Sequence, residues 1–118
     1  MQSETNGGIM SEDLTAKICA PCRGGIPPLP REGAEKLLTQ AAGWTLEGDA
    51  HHIFRRFEFG DFALSLAFVN LVGALAEQEG HHPDVRFGWG YVEITIFSHE
   101  IDGLHENDFI LAAKINQI

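Results

Sequence analysis

His81-His82-Pro83 sets two imidazoles side by side at the end of a long apolar segment, with Gly80 immediately before them. Glycine just past the last helical residue takes the left-handed conformation that closes a helix, and a proline two or three positions on cannot continue one. Proline also presses the residue before it, His82, toward extended geometry. The two rings are therefore expected on a stiff corner, pointing in different directions. Histidine gains and loses its proton near neutral pH, and the partial negative charge of a helix C-terminus favours the protonated ring. Glu77, four residues before His81, pushes the same way. A third histidine, His99, ends the alternating run Tyr91 to Ser98, and Asp108 opens the last apolar segment. Histidines and carboxylates without a Ser or Cys nucleophile motif leave two chemistries: a three-histidine metal site that activates water, or metal-free general acid–base catalysis. Adjacent rings that diverge converge poorly on one metal, which favours the second. Each residue also has a plain structural reading. Glu77 suits a solvated helix face, and Asp108 suits the first turn of a helix, where a carboxylate is favourable. His51, His52 and His105 stand outside the pattern and are assigned no chemistry, His105 lying near the start of the last helix as a poorer cap than Ser or Thr.

The elements that must position these groups follow from periodicity. Residues 1–29 are small and polar, then rich in Gly and Pro, and read as a flexible arm. The domain spans 30–118. Ala34, Leu37, Leu38 and Ala41 fall at helical spacing before Gly43. Two runs, Trp44 to Glu47 and His52 to Phe59, flank Gly48-Asp49 and read as a hairpin. Asp61 is the N-cap of a helix over Phe62 to Glu79. On it Phe62, Leu66, Val69, Gly73 and Ala76 form one apolar stripe, and Leu64, Phe68, Leu71 and Leu75 a second. A helix apolar on two sides must be covered on two sides. The second stripe is thus expected against another subunit, with a close backbone approach at Gly73. A second hairpin turns at Gly90, with Val92, Ile94 and Ile96 on one face and His99 on the other, more polar one. A last helix covers Glu106 to Ile118. The fold class is α+β: a four-stranded antiparallel sheet with three helices packed on one face, in the order α-β-β-α-β-β-α.

Composition narrows the function. The chain has 118 residues and a net charge of −9 with histidine neutral. No Lys or Arg block appears, which argues against a nucleic-acid surface. No stretch is long and apolar enough to span a membrane, and the first residues lack a signal-peptide core. A cytoplasmic, small-molecule protein is the expectation. Cys19 and Cys22 form a Cys-x-x-Cys, which reads as a reduced pair in the arm, since a structural zinc needs four ligands.

The full pattern is Glu77, His81-His82-Pro83, the aromatic Trp89, His99-Glu100 and Asp108, together with Gly43-Trp44, Ile53-Phe54, Phe57-Glu58-Phe59-Gly60-Asp61-Phe62, Ile94-Thr95 and Gly103-Leu104. It resembles the pterin-4a-carbinolamine dehydratases over about Pro30 to Ile118. The resemblance implies removal of water from 4a-hydroxytetrahydrobiopterin to give the quinonoid dihydropterin, which recycles the pterin of aromatic amino acid hydroxylases. The pterin is then the substrate, with no other cofactor and no metal. Carried over, His81, His82 and His99 are catalytic, Glu77 and Asp108 orient them, and Pro83 and Trp89 bind substrate. The resemblance also implies a homodimer or homotetramer, here through the Phe62 to Glu79 helix. The arm is similar to that of bacterial members, which serve phenylalanine hydroxylase. Vertebrate members also act as coactivators that dimerise a transcription factor, so a protein-binding role with a vestigial site is the alternative. Val85 and Arg86 stand where aromatics are common in the family.

Overall fold

The computed structural model describes residues 13–20 and 24–118. Cys22, half of the cysteine pair, lies outside them. The elements are α1 (Arg31–Leu38), β1 (Thr45–Glu47), β2 (His52–Glu58), α2 (Phe62–Glu79), β3 (Asp84–Gly88), β4 (Tyr91–Ile96) and α3 (Glu106–Ile115), with short 3-10 turns at Leu14–Ala16 and His99–Ile101. The helix and strand order is the expected one. Sheet order is β1-β2-β4-β3, all antiparallel. The two hairpins thus join through β2 and β4, with Ile53 opposite Ile96 and Phe57 opposite Val92. No helix among the described residues is long and apolar enough to cross a membrane.

Period-two alternation decides which sheet face is covered. Val92, Ile94 and Ile96 are fully buried, together with Ile53 from β2. They meet α3, whose Phe109, Ile110, Leu111, Ala112 and Ile115 are likewise buried. The other sheet face is polar. There Glu93 accepts from Arg56 at 2.7 Å and Arg86 at 2.8 Å, joining three strands across the middle of the sheet. Those two guanidinium groups hold the Glu93 carboxyl below its ordinary range.

Helix α2 departs from the two-stripe expectation. Its inward line is Ser65, Phe68, Val72 and Ala76, which runs between the two stripes. Ser65 is what displaced the reading, because a polar residue does not mark a buried face. Its hydroxyl is satisfied locally by donating to Asp61 O at 3.1 Å, so it can be buried. Phe68 therefore belongs to the core, packing on Phe57 and Phe59. Leu64 and Leu71 remain 52% and 55% exposed. Gly73 has open space where a Cβ would stand, so no close approach occurs there among the described residues.

The last helix ends three residues earlier than expected, at Ile115, with Asn116 as its C-cap. Its side-chain oxygen accepts from Trp44 Nε1 at 2.9 Å and from Arg55 at 2.6 Å, while its amide donates to Ala42 O. Gly43 is needed beside this knot. It has φ 88°, and a Cβ would lie 2.7 Å from Arg55 Cζ.

Residues 13–20, which composition places in the arm, lie against the domain. Leu14 is buried in the core, and Cys19 N donates to Glu79 Oε1 at 3.0 Å. Glu79 is also paired with Lys114 Nζ at 2.6 Å, with both side chains largely buried. Burial alone would raise the Glu79 carboxyl, yet hydrogen bonds from Lys114 and Cys19 N, with the Lys114 charge, hold it below its usual range. Replacing Lys114 by Met leaves that carboxylate buried and unpaired, at an expected cost of about 3 kcal/mol at pH 7. A depressed carboxyl contributes stability above its unfolded value and loses it as pH falls through the folded one. Without Lys114 burial leaves the Glu79 carboxyl above its ordinary range, so denaturant titration should show the gap between the two proteins narrowing as pH falls from above the ordinary carboxyl range to below it.

Candidate active site

The corner forms as its glycine requires. Gly80 takes φ 66°, the left-handed region. Gly80 N donates to Glu77 O at 3.3 Å and His81 N to Ala76 O at 3.2 Å, the paired closure that ends many helices. The chain turns so sharply here that Glu77 does not meet His81, the residue one helical turn on. It bonds to Nε2 of His82 instead.

His81 turns inward and is only 9% exposed. Its Nε2 is 2.5 Å from Oδ1 of Asp108, a carboxylate with no exposed surface. The other oxygen of Asp108 accepts from Ser98 Oγ at 2.9 Å and from the His105 backbone N–H at 2.8 Å. Asp108 is thus both a helix cap and a histidine partner, the two readings being one. His105 completes the cap by accepting from Asn107 N. A carboxylate with three hydrogen-bond partners is held rigidly, and it fixes the orientation of the His81 ring through Nε2.

His99 lies beyond the strand, at the start of the His99–Ile101 turn. The strand stops at Ile96 because Ser98 pairs with Gly103 rather than with β2, its N–H donating to Gly103 O at 2.8 Å. The His99 ring lies against Phe97, with centroids 4.2 Å apart, and Phe97 in turn lies against His51. His51 also reaches Asp102 at 2.8 Å.

His81, His82 and His99 line one cavity of about 240 Å³, with Gly80 and Pro83 from the corner. Asp84 and Glu100 add carboxylates, and Ala20 closes one side from the arm. Glu77 and Asp108 stand behind their imidazoles rather than in the lining. Trp89 is at the tip of the β3–β4 hairpin, 72% exposed and outside this lining. Among the described residues, no group of three His, Cys, Asp or Glu is arranged to hold a metal ion. Cys19 is half-buried, and burial, with Glu79 next to it, pushes its thiol up to about 12. It is held as the protonated, unreactive form.

Sequence reasoning missed Ser98, Asn107 and Ala20. Ser98 reads as the last residue of an alternating strand, and only the neighbouring need of Asp108 for donors marks it. The His105-x-x-Asp108 spacing, which matches a capping box, was the available signal for the turn that joins them.

Residues 27–118 match the family model for pterin 4 alpha carbinolamine dehydratase. A Halorhodospira halophila protein provisionally named a pterin-4-alpha-carbinolamine dehydratase is 52% identical over 105 residues, covering 89% of this chain and 96% of its own. A Rubrobacter xylanophilus protein of the same provisional name is 53% identical over 109 residues, covering 92% and 100%. A Brucella melitensis structure described as a transcriptional coactivator/pterin dehydratase superposes with TM-score 0.71 at 28% identity, covering 76% of this chain and 96% of that one. A pterin dehydratase-like protein described as a RuBisCO assembly factor of the alpha-carboxysome superposes at 0.56 with 32% identity, covering 66% and 90%. With most of its length matched in both sequence and fold, the chain belongs to the pterin-4a-carbinolamine dehydratase family.

Proposed function

We propose that this protein dehydrates 4a-hydroxytetrahydrobiopterin to the quinonoid dihydropterin by histidine acid–base catalysis, in the cytoplasm, recycling the pterin used by phenylalanine hydroxylase. The observation that carries the proposal is the gathering of three imidazoles around one cavity, one of them locked by a buried carboxylate. A cavity of about 240 Å³ is smaller than the ~300–1,000 Å³ of drug-sized sites, which suits a flat bicyclic ring.

The reaction is an elimination. The C4a–O bond breaks as the departing oxygen takes a proton, and the ring nitrogen beside C4a gives one up as the C=N bond forms. Nothing is oxidised or reduced, so paired proton transfers suffice and no metal or further cofactor is called for. Asp108 and Glu77 stabilise the imidazolium that His81 or His82 becomes, which suits that side of the cavity to donating the proton to oxygen. His99 then holds the pterin or takes the ring proton. Pro83 walls the cavity at the corner. Trp89 enters as a substrate-binding residue only if the hairpin tip of a second copy reaches the cavity.

The coupled test follows phenylalanine hydroxylase turning over with limiting pterin. Adding this protein should shorten the lifetime of the carbinolamine, and pre-treatment with a chelator should leave that effect unchanged. Activity lost to chelator and restored by zinc would overturn the metal-free proposal.

The apolar outer face of α2, with Leu64, Leu66 and Leu71 exposed, favours a second reading in which the same surface binds protein. A second copy is the proposed occupant, giving a homodimer or homotetramer, because exposed apolar patches of this kind mark contact sites. Leu71→Asp should dissociate the assembly on light scattering while the thermal transition survives, since the residue is outside the core. A wild type that is monomeric at micromolar concentration contradicts this.

A further inference from the structure

Ala20 of the arm lies at the cavity, and one buried side chain holds it there. The Asn107 amide, 2% exposed, pairs with the Ala20 backbone from both ends: Ala20 N donates to Asn107 Oδ1 at 2.9 Å, and Asn107 Nδ2 donates to Ala20 O at 2.6 Å. Further back, Lys17 pairs with Glu106 at 2.6 Å, and Leu14 is sunk in the core. The next residue after Asn107 is Asp108, which holds His81. The first turn of α3 therefore fixes two things at once, the catalytic imidazole and the stretch of arm that lines the cavity beside it.

We infer that residues 14–20 form a strap that makes one wall of the histidine cavity, and that Asn107 is the positioning residue that keeps this wall at the width the substrate needs. A buried Asn whose donor and acceptor are both used by one backbone unit imposes a fixed spacing, because shifting the strap leaves both polar ends unsatisfied. Ala20 is exposed and small at that wall, so bulk added there narrows the opening directly. The strap touches the substrate's periphery and moves no proton. Its loss weakens binding in ground and transition states alike, which raises KM and leaves kcat in place. The identity of the substrate rests on the pterin reading; the existence of the strap does not.

Two measurements separate these. In a Cys22→Ser background Cys19 is the single thiol, and its labelling by an aromatic disulfide reports the strap alone. The thiolate attacks the disulfide, forming a mixed disulfide and releasing an aromatic thiolate. Labelling is slow while Cys19 is buried beside Glu79, and Asn107→Ala should speed it by at least about tenfold as the thiol returns toward ordinary acidity. Unchanged labelling overturns Asn107 as the residue that holds the strap. In the dehydration assay Asn107→Ala should raise KM for 4a-hydroxytetrahydrobiopterin by about five- to tenfold with kcat within about twofold of wild type. Ala20→Phe, on an exposed position that does not threaten folding, should show the same split. Faster labelling with KM unchanged in both variants overturns the strap as a wall of the cavity. If the wild type turns over no carbinolamine, the dehydratase reading fails, and labelling still decides whether Asn107 holds the strap.

Discussion

Replacing His82 or His99 by Ala should lower turnover of the carbinolamine by about 10² or more, the size expected for losing one general acid or base. Neither change should disturb folding. Both rings are exposed, and the contact between His82 and Glu77 is open to solvent, where such pairs add little stability. The double variant should lose less than the product of the single losses, since groups that act as a unit are strongly non-additive. His52→Ala is the control. It lies outside the cavity lining, and its turnover should stay close to wild type. Near-normal turnover in both single variants would leave the protein-binding reading of the α2 face as the surviving one.

Asp108→Ala should have the largest effect on stability of any change at the site. Three donors converge on this carboxylate: His81 Nε2, Ser98 Oγ and His105 N. Removing it strands the buried His81 and Ser98 groups and the half-buried His105 N–H, and opens the cap of α3. At ~1–3 kcal/mol for each buried group left unsatisfied, a total of about 4 kcal/mol is expected in denaturant titration. The effect on turnover should be smaller than that of losing His82 or His99, because Asp108 supports a proton transfer without making one. A variant as stable as wild type would show that the dyad contributes nothing to the fold.

How much of this was legible beforehand differs by residue, and the reasons are physical. Asp61 and Gly80 announce the two ends of α2 through local chemistry, an N-cap oxygen that accepts from Leu64 N and a left-handed glycine. Such signals survive without tertiary context. The sheet faces were legible for the same reason, since period two is enforced by the backbone. The inward face of α2 was not, because a helix apolar nearly all round carries no rotational signal and the deciding residue was a serine. Glu77 was matched to the wrong histidine because helical spacing was carried one residue past the point where Gly80 ends it. The role of Asp108 toward His81 spans 27 residues of sequence. Only the family resemblance pointed to it, while spacing alone offered the helix cap. Ser98 and Asn107 act through contacts that depend on how α3 lies across the corner, and no local pattern encodes that.

The most direct measurement of the central claim is stopped-flow dehydration of chemically prepared 4a-hydroxytetrahydrobiopterin, with wild type compared with a chain in which His81, His82 and His99 are all Ala. The account predicts that catalytic amounts of wild type, stripped of metal, accelerate loss of the carbinolamine well above the buffer rate, and that the triple variant does so by less than about 1% of wild type. A triple variant that keeps most of the acceleration, or a wild type no faster than buffer, contradicts it.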